Sequence, residues 1–366
     1  MRKRNLAQYF ISEVMDYKEI FGRRLKSARL MKRLTMDELS QRTNGEVSKP
    51  NISKYEAGKM MPSSKVHILL AKALGMDFDY FFRPVTVQIT RPADYRKKAK
   101  LSKGDENAIN EEVKDKAERY LEIEDTLGIS TDLDFDLSDI VVSTRQDVKR
   151  VVARIREDWH LGFGPLSNII DLLESHGLRV IEIEAPDEFD GMCIFVNEKP
   201  VIVLNKHYTV ERKRFTGLHE FGHSVMRMSD NLSEKEREAL CHYFAGEMLL
   251  SSEVLHQVFG TRINKVFLNE VGRLQTQFGI SIDAIFHRLK DEHILNDALY
   301  TQFYKRKNKN PELKAWAKTS TYLGEETSYR FSRMVYRALA ENLISEEKAN
   351  EILGTNEISY IDNKQI

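Results

Sequence analysis

Phe215-Thr216-Gly217-Leu218-His219-Glu220-Phe221-Gly222-His223 is an apolar stretch with two histidines four residues apart and a glutamate directly after the first. On a helix, residues at i and i+4 share a face, so His219 and His223 can present both imidazoles to one metal ion. Glu220 then stands beside the metal without binding it, where a carboxylate can take a proton from water. H-E-x-x-H on a helix is the pattern of zinc hydrolases, and the cofactor it implies is Zn2+. Three fixed letters arise by chance in roughly a few per cent of such chains, so the surroundings must carry the reading.

A catalytic zinc needs three protein ligands and one open position. Upstream, helical spacing runs from Thr144 to Trp159, and a second helix is expected from Pro165 to His176, ended by Gly177. LRVIEIEA, GMCIFVN and KPVIVLN read as Val- and Ile-rich strands, with the polar turn NEK between the last two. Helices, strands and then the metal-binding helix predict an α+β domain with that helix lying on a small sheet. The edge of the PVIVLN strand is expected to take an extended substrate by backbone pairing. Downstream, SEKEREALCHYFAGEMLLSSE predicts a long helix with Leu240, Phe244, Met248 and Leu249 inward. Its Glu236, Glu238 and His242 are the candidates for the third ligand. Glu238 is chosen, with His242, one turn on, orienting a ligand or touching substrate; the bland reading of Glu238 is a solvated helix face.

Residues 140 to 290 resemble the ImmA/IrrE family of metallopeptidases. The resemblance rests on Pro200 to Asn205, on Arg212 to His223 (R-x-R-F-T-x-x-H-E-x-G-H), and on Glu238 to Leu250. It implies that His219, His223 and Glu238 bind zinc and that Glu220 is the general base. This chain departs from the family pattern at His242, where Asn is usual, and at Ser251-Ser252, where Pro commonly follows the Leu pair. Arg212 and Arg214 read as surface or salt-bridging residues, and Cys241 as a small buried hydrophobe. Cys193, in GMCIFVN, is a candidate regulatory thiol whose thiolate would occupy the open zinc position; its bland reading is a buried structural cysteine.

The N-terminal part carries a different pattern. Phe21, Leu25 and Ala28 mark the apolar face of a first helix. Thr35 caps a second, with Glu38 completing a capping box, and Asn44-Gly45 breaks it. A third starts near Ser48 and ends at Gly58, with Pro50 in its first turn. Two short helices about a tight turn are the helix-turn-helix plan. Val47 and Ile52 would pack inward, while Ser48, Lys49, Asn51, Ser53 and Lys54 would face a DNA groove and its phosphates. Residues 1 to 82 hold 16 Lys/Arg against 9 Asp/Glu, a net of +7 in a chain whose total is zero. Residues 19 to 82 also resemble the Xre/Cro-type repressor domain, through VSKPNISKYEAGKMMPS; the bland alternative is a helical bundle for protein contacts.

Between these parts, Ile109, Val113, Ala117, Tyr120, Leu121 and Leu127 predict an amphipathic helix over Glu106–Leu127, a strut or dimer contact, behind a basic linker. DLDFDLSD (132 to 139) is no calcium loop, because the sixth and twelfth positions hold Leu137 and Ser143. Towards the end, Pro311 to Gly324 reads as a polar connection and two helices follow Tyr329, stopping at Gly354. Two cysteines fit a reducing cytosol, the basic start interrupted by Glu13 and Asp16 is no leader, and no apolar run has the length of a membrane span.

The expected organisation is multidomain: an all-α helix-turn-helix domain (1–82), a linker and connector helix (83–139), an α+β zincin-like metallopeptidase domain (140–300) and a helical C-terminal region (301–366). The function expected from the residues and the resemblance is that of a cytoplasmic zinc endopeptidase. Its partners would be double-stranded operator DNA and a protein substrate, a repressor or antitoxin-like protein, in a stress, mobile-element or phage-defence circuit. A homodimer would suit paired half-sites. The alternative is a transcriptional regulator or antitoxin whose peptidase-like domain is a sensor or partner-binding surface. A purely structural zinc is a third reading, set against the open position that three ligands leave.

Overall fold

The turn at Thr43–Val47 shows how the N-terminal helices are set. In the computed structural model, which describes residues 16–91, 101–129, 137 and 139–354, Asn44 and Gly45 both take positive φ (53° and 77°). The Thr43 hydroxyl accepts from Val47 N at 3.2 Å and donates to Ser40 O at 2.7 Å. This lock joins α2 (Met36–Arg42) to α3 (Lys49–Glu56), with α1 (Tyr17–Met31) before them and α4 (Ser64–Leu74) and a 3-10 turn (Phe78–Phe82) after. The capping box expected at Thr35 and Glu38 is present, and Pro50 sits in the first turn of α3. Phe21, Leu25, Ala28, Val47 and Ile52 are buried together, each large apolar side chain contributing about 1.5–3 kcal/mol.

Gly22 lets α1 cross the end of α3. A Cβ there would meet the carbonyl oxygen of Tyr55, and that of Glu56 at 2.9 Å. Backbone oxygens cannot swing aside as a side chain does, so Gly22→Ala is expected to cost about 1–3 kcal/mol. Urea unfolding of the wild type and variant measures it; a loss below a few tenths of a kcal/mol would mean that the crossing relaxes. Nearby, Arg29 holds both carboxylate oxygens of Glu56 (2.6 and 2.8 Å), tying α1 to α3 by a forked pair.

The chain divides into two units. Residues 16–88 and 101–118 belong to the first; 89–91 and the described residues of 119–354 belong to the second. The connector helix α5 (Lys103–Thr126) starts three residues before the expected Glu106, with its residues to Glu118 in the first unit and those from Arg119 in the second. In the first unit its Glu118 accepts from Arg24 at 2.6 Å. In the second, Tyr120 and Ile123 pack with Met334, Val335 and Ala338. The stretches read above for a leader (residues 1–15), for much of the basic linker (92–100) and for most of the calcium test (130–136 and 138) lie outside the described residues.

The second unit is mixed α and β. Its four-stranded sheet has the order β1 (Ile89–Arg91), β4 (Gly191–Val196), β5 (Lys199–Asn205), β3 (Arg179–Ile183). β3 and β5 are parallel; β4 runs antiparallel to β5 and to β1. The β4–β5 turn is Asn197-Glu198, both with positive φ (47° and 63°), the backbone that a two-residue hairpin requires. A small parallel pair, β2 (Val141–Val142) with β6 (Arg227–Met228), lies apart. β5 is bonded on both sides, so the PVIVLN strand has no free edge for a substrate, contrary to the sequence expectation. Its buried run Val201-Ile202-Val203-Leu204 is that of a central strand.

The helices follow in order: α6 (Arg145–Asp158), α7 (Ile169–Ser175), α8 (Val210–Val225), α9 (Glu234–Leu249), α10 (Ser252–Phe259), α11 (Leu268–Phe278), α12 (Ile282–Asp291), α13 (Asp297–Lys309), α14 (Pro311–Lys318), α15 (Arg330–Ala340) and α16 (Glu346–Leu353). α7 begins at Ile169 rather than near Pro165, with Asn168 as its cap. Residues 311–318, read as a polar connection, are a helix, because Asn310 caps it, Pro311 opens it, and Leu313 and Ala317 are buried. α13 runs without a break through residue 300. One core joins Leu218 and Phe221 of α8 to Val180, Ile202 and Leu204 of the sheet, Leu173 of α7, and Phe244 and Met248 of α9. That core fixes α8 between the sheet and α9. No described helix is long and apolar enough to cross a membrane.

Candidate metal centre

His219 and His223 project from one side of α8 towards α9, as the four-residue spacing requires. Their Nε2 atoms lie 3.1 Å apart. Glu238 reaches across from α9, with one oxygen 3.3 Å from His219 Nε2 and the other 3.1 Å from His223 Nε2. A tetrahedral zinc with bonds of about 2.0–2.1 Å separates its ligand atoms by about 3.3 Å. Two nitrogens and a carboxylate thus already stand at zinc-site spacing, and the donor set fits the ion that the sequence implies.

α9 presents Glu238 because its capping box begins one turn earlier. Ser233 caps the helix, and the Glu236 carboxylate is used up there by Ser233 N (2.8 Å) and the Ser233 hydroxyl (2.6 Å). Those bonds hold Glu236 below the usual carboxylate range. Of the two rival glutamates, one caps the start of the helix and the other faces the histidines.

His242 is four residues beyond Glu238 and shares its face. Ligand atoms of His219, Glu238 and His242 all lie within 4.8 Å of one another. Its ring lies 4.3 Å from that of His219 and 5.9 Å from that of Phe215. The residue is solvent-exposed, with protein on the side of the ring that faces His219 and Phe215. Desolvation, with His219 second, pulls its imidazole down to about 4.

Glu220 is nine-tenths buried on the same helix, and its carboxylate is not among the gathered donors. Cys193 pairs in register with Ile202, whose face packs on α8, and is half-buried; it too is absent from the donor group. Cys241 is buried, and its sulfur lies 3.5 Å from His223 Nδ1. A partner on Nδ1 orients the ring and leaves Nε2 for a metal. Sequence reading took Cys241 for a hydrophobe only, although its three-residue spacing from Glu238 already placed it on the site face. Arg212 is a surface residue paired with Asp190. Arg214 takes the salt-bridging alternative: it is fully buried and ion-paired with Glu326. A surface hollow of about 450 Å³ beside Trp316 and Gly272 shares no residue with the donor group.

In the first unit, Ser48, Lys49, Ser53 and Lys54 are exposed and Asn51 is half-buried. Ser48 caps α3 with its hydroxyl unbonded to the helix, its carbonyl accepting from Asn51 N and Ile52 N. Lys49 is paired with the exposed Asp37 at 2.7 Å.

Residues 173–290 match the model of the IrrE N-terminal-like domain, peptidase family M78, and residues 25–81 match that of the helix-turn-helix. The chain joins an IrrE-like domain to a helix-turn-helix domain. Both donor helices of the metal centre, α8 and α9, fall inside the IrrE-like match, and α2 and α3 inside the other. Among solved structures, a Mycobacterium tuberculosis transcriptional regulator is similar at 17% identity and a TM-score of 0.29, over 47% of this chain. The matched part spans 51% of that regulator, about half its length. No curated protein matches the chain.

Proposed function

We propose that the chain is a zinc-dependent endopeptidase guided by its own DNA-binding domain, and that it cuts a repressor or antitoxin-like protein. The observation that carries the reading is the triangle of His219, His223 and Glu238 at 3.1–3.3 Å, with Glu220 one residue from the first ligand. Zinc held there supplies a Lewis acid that polarises a peptide carbonyl and acidifies water. Glu220 accepts the proton from the attacking water and returns it to the leaving amine. β5 being closed on both sides, an extended substrate has to approach along another surface. Whole-proteome cleavage profiling of cells carrying the wild type or Glu220→Gln, with and without DNA damage, tests the reading. A fragment made only by the wild type is expected and would name the substrate. Identical profiles under every stress would leave the domain as a regulator's sensor or binding surface.

α3 is proposed to enter the major groove, with Ser48, Asn51 and Ser53 near base edges and Lys49 and Lys54 at phosphates. Lys54 is exposed on the last turn of α3, whereas Lys49 must first leave Asp37. Lys54→Ala is therefore expected to weaken binding to all sequences alike. It should lower the slope of log K against log salt by about 0.9. Titration of a DNA library fragment at several salt concentrations measures it, and an unchanged slope would remove Lys54 from the interface.

A further inference from the structure

We infer that His242 is a displaceable fourth protein ligand of the metal centre, closing the resting site with three imidazoles and one carboxylate. The inference rests on the metal-site reading and is independent of whether the chain cuts peptides. α8 and α9 each offer two donors four residues apart: His219 with His223, and Glu238 with His242. Each pair is one helical turn long and shares one face of its helix. The helices are packed through Phe221 and Phe244, whose ring centroids lie 5.8 Å apart, so the two pairs confront each other.

The four donors are not equally placed. His219, His223 and Glu238 are already at zinc-site spacing, whereas the group containing His242 spans up to 4.8 Å. That exceeds a tetrahedral edge by about 1.5 Å or less, within the reach of a side-chain torsion. The ring is solvent-accessible but lies against the site, tilted 34° to the His219 ring and 25° to Phe215. Four protein ligands make a closed, structural type of zinc site, and three with an open position make a catalytic one. One imidazole at this distance moves the centre between the two. Anything that takes the fourth position has to displace His242 first.

Zinc affinity by chelator competition, and the visible spectrum of the Co2+-loaded full chain, decide the matter for the wild type, His242→Ala, His242→Asn and His219→Ala. Both His242 variants are expected to bind zinc about 100-fold more weakly, beyond most of the 10- to 100-fold range for partners that only orient a ligand. Azide should shift the cobalt bands of those variants at concentrations that leave the wild type unmoved. Wild-type affinity and an unchanged cobalt spectrum in both His242 variants, with His219→Ala losing zinc, would overturn the fourth ligand alone. Undiminished zinc binding by His219→Ala would instead overturn the metal site beneath it.

Discussion

Replacing Arg214 with alanine is expected to destabilise the second unit by about 3–5 kcal/mol, the cost of stranding a buried charge. The guanidinium is fully buried. It donates to Leu166 O at 2.8 Å, Gly279 O at 3.1 Å and Phe278 O at 3.2 Å, to Ser167 O, and to the Glu326 carboxylate. Glu326 in turn accepts from Ile169 N (2.9 Å) and Ile170 N (3.1 Å), where α7 begins. One side chain of the metal-binding helix thus ties down the start of α7, the end of α11 and the chain beyond α14. Gly279 makes room for it: at φ +60° it ends α11, and a Cβ there would lie 2.6 Å from Arg214 Nε.

Without the cation, burial of Glu326, which already raises its pKa, is opposed only by hydrogen bonds. A domain has only about 5–15 kcal/mol to lose. Chemical denaturation should therefore show the second unit unfolding at much lower urea in Arg214→Ala. Arg214→Lys should fall well short of rescue, because an ammonium lacks the planar fork. In a double-mutant cycle with Glu326→Gln the two losses should not add. A loss under 1 kcal/mol in Arg214→Ala would show that the pair is no keystone.

Arg214 also marks where local pattern stops being informative. Its partner lies 112 residues away, and a basic residue on a charged helix face looks solvent-facing until that partner is known. The late start of α7 has the same cause, since the carbonyls of Leu166 and Ser167 are turned towards Arg214 instead of continuing a helix. β5 looked like an edge because strand order depends on distant pairings, with β3 on one side and β4, itself covered by β1 from residues 89–91, on the other. α14 was hidden by its lysines, although Asn310-Pro311 is a proper helix start. What could be read were features whose physics is local. The capping box at Thr35, the Asn44-Gly45 break, the Asn197-Glu198 turn and the four-residue spacings on α8 and α9 each depend on a few neighbouring residues. The gathering of His219, His223 and Glu238 needed one further condition, that α8 and α9 pack face to face, and their apolar stripes provide it.

Glu220→Gln is expected to leave zinc content and fold unchanged while lowering peptide hydrolysis by about 100- to 10,000-fold, the usual contribution of a general base. The amide has the size of the carboxylate but cannot take up the proton. The Glu220 carboxylate stands outside the gathered donors, so the 3.1–3.3 Å spacings among His219, His223 and Glu238 should persist. Glu238→Gln should behave in the opposite order, losing zinc first and activity as a consequence, because its oxygens face both imidazoles. Metal content of the purified variants, set beside the rate of appearance of the fragment found by cleavage profiling, separates the two. If Glu220→Gln cleaves as fast as the wild type, the base lies elsewhere. If it loses zinc as Glu238→Gln does, Glu220 is a ligand rather than a proton carrier, and the mechanism has to be rebuilt from a different donor set.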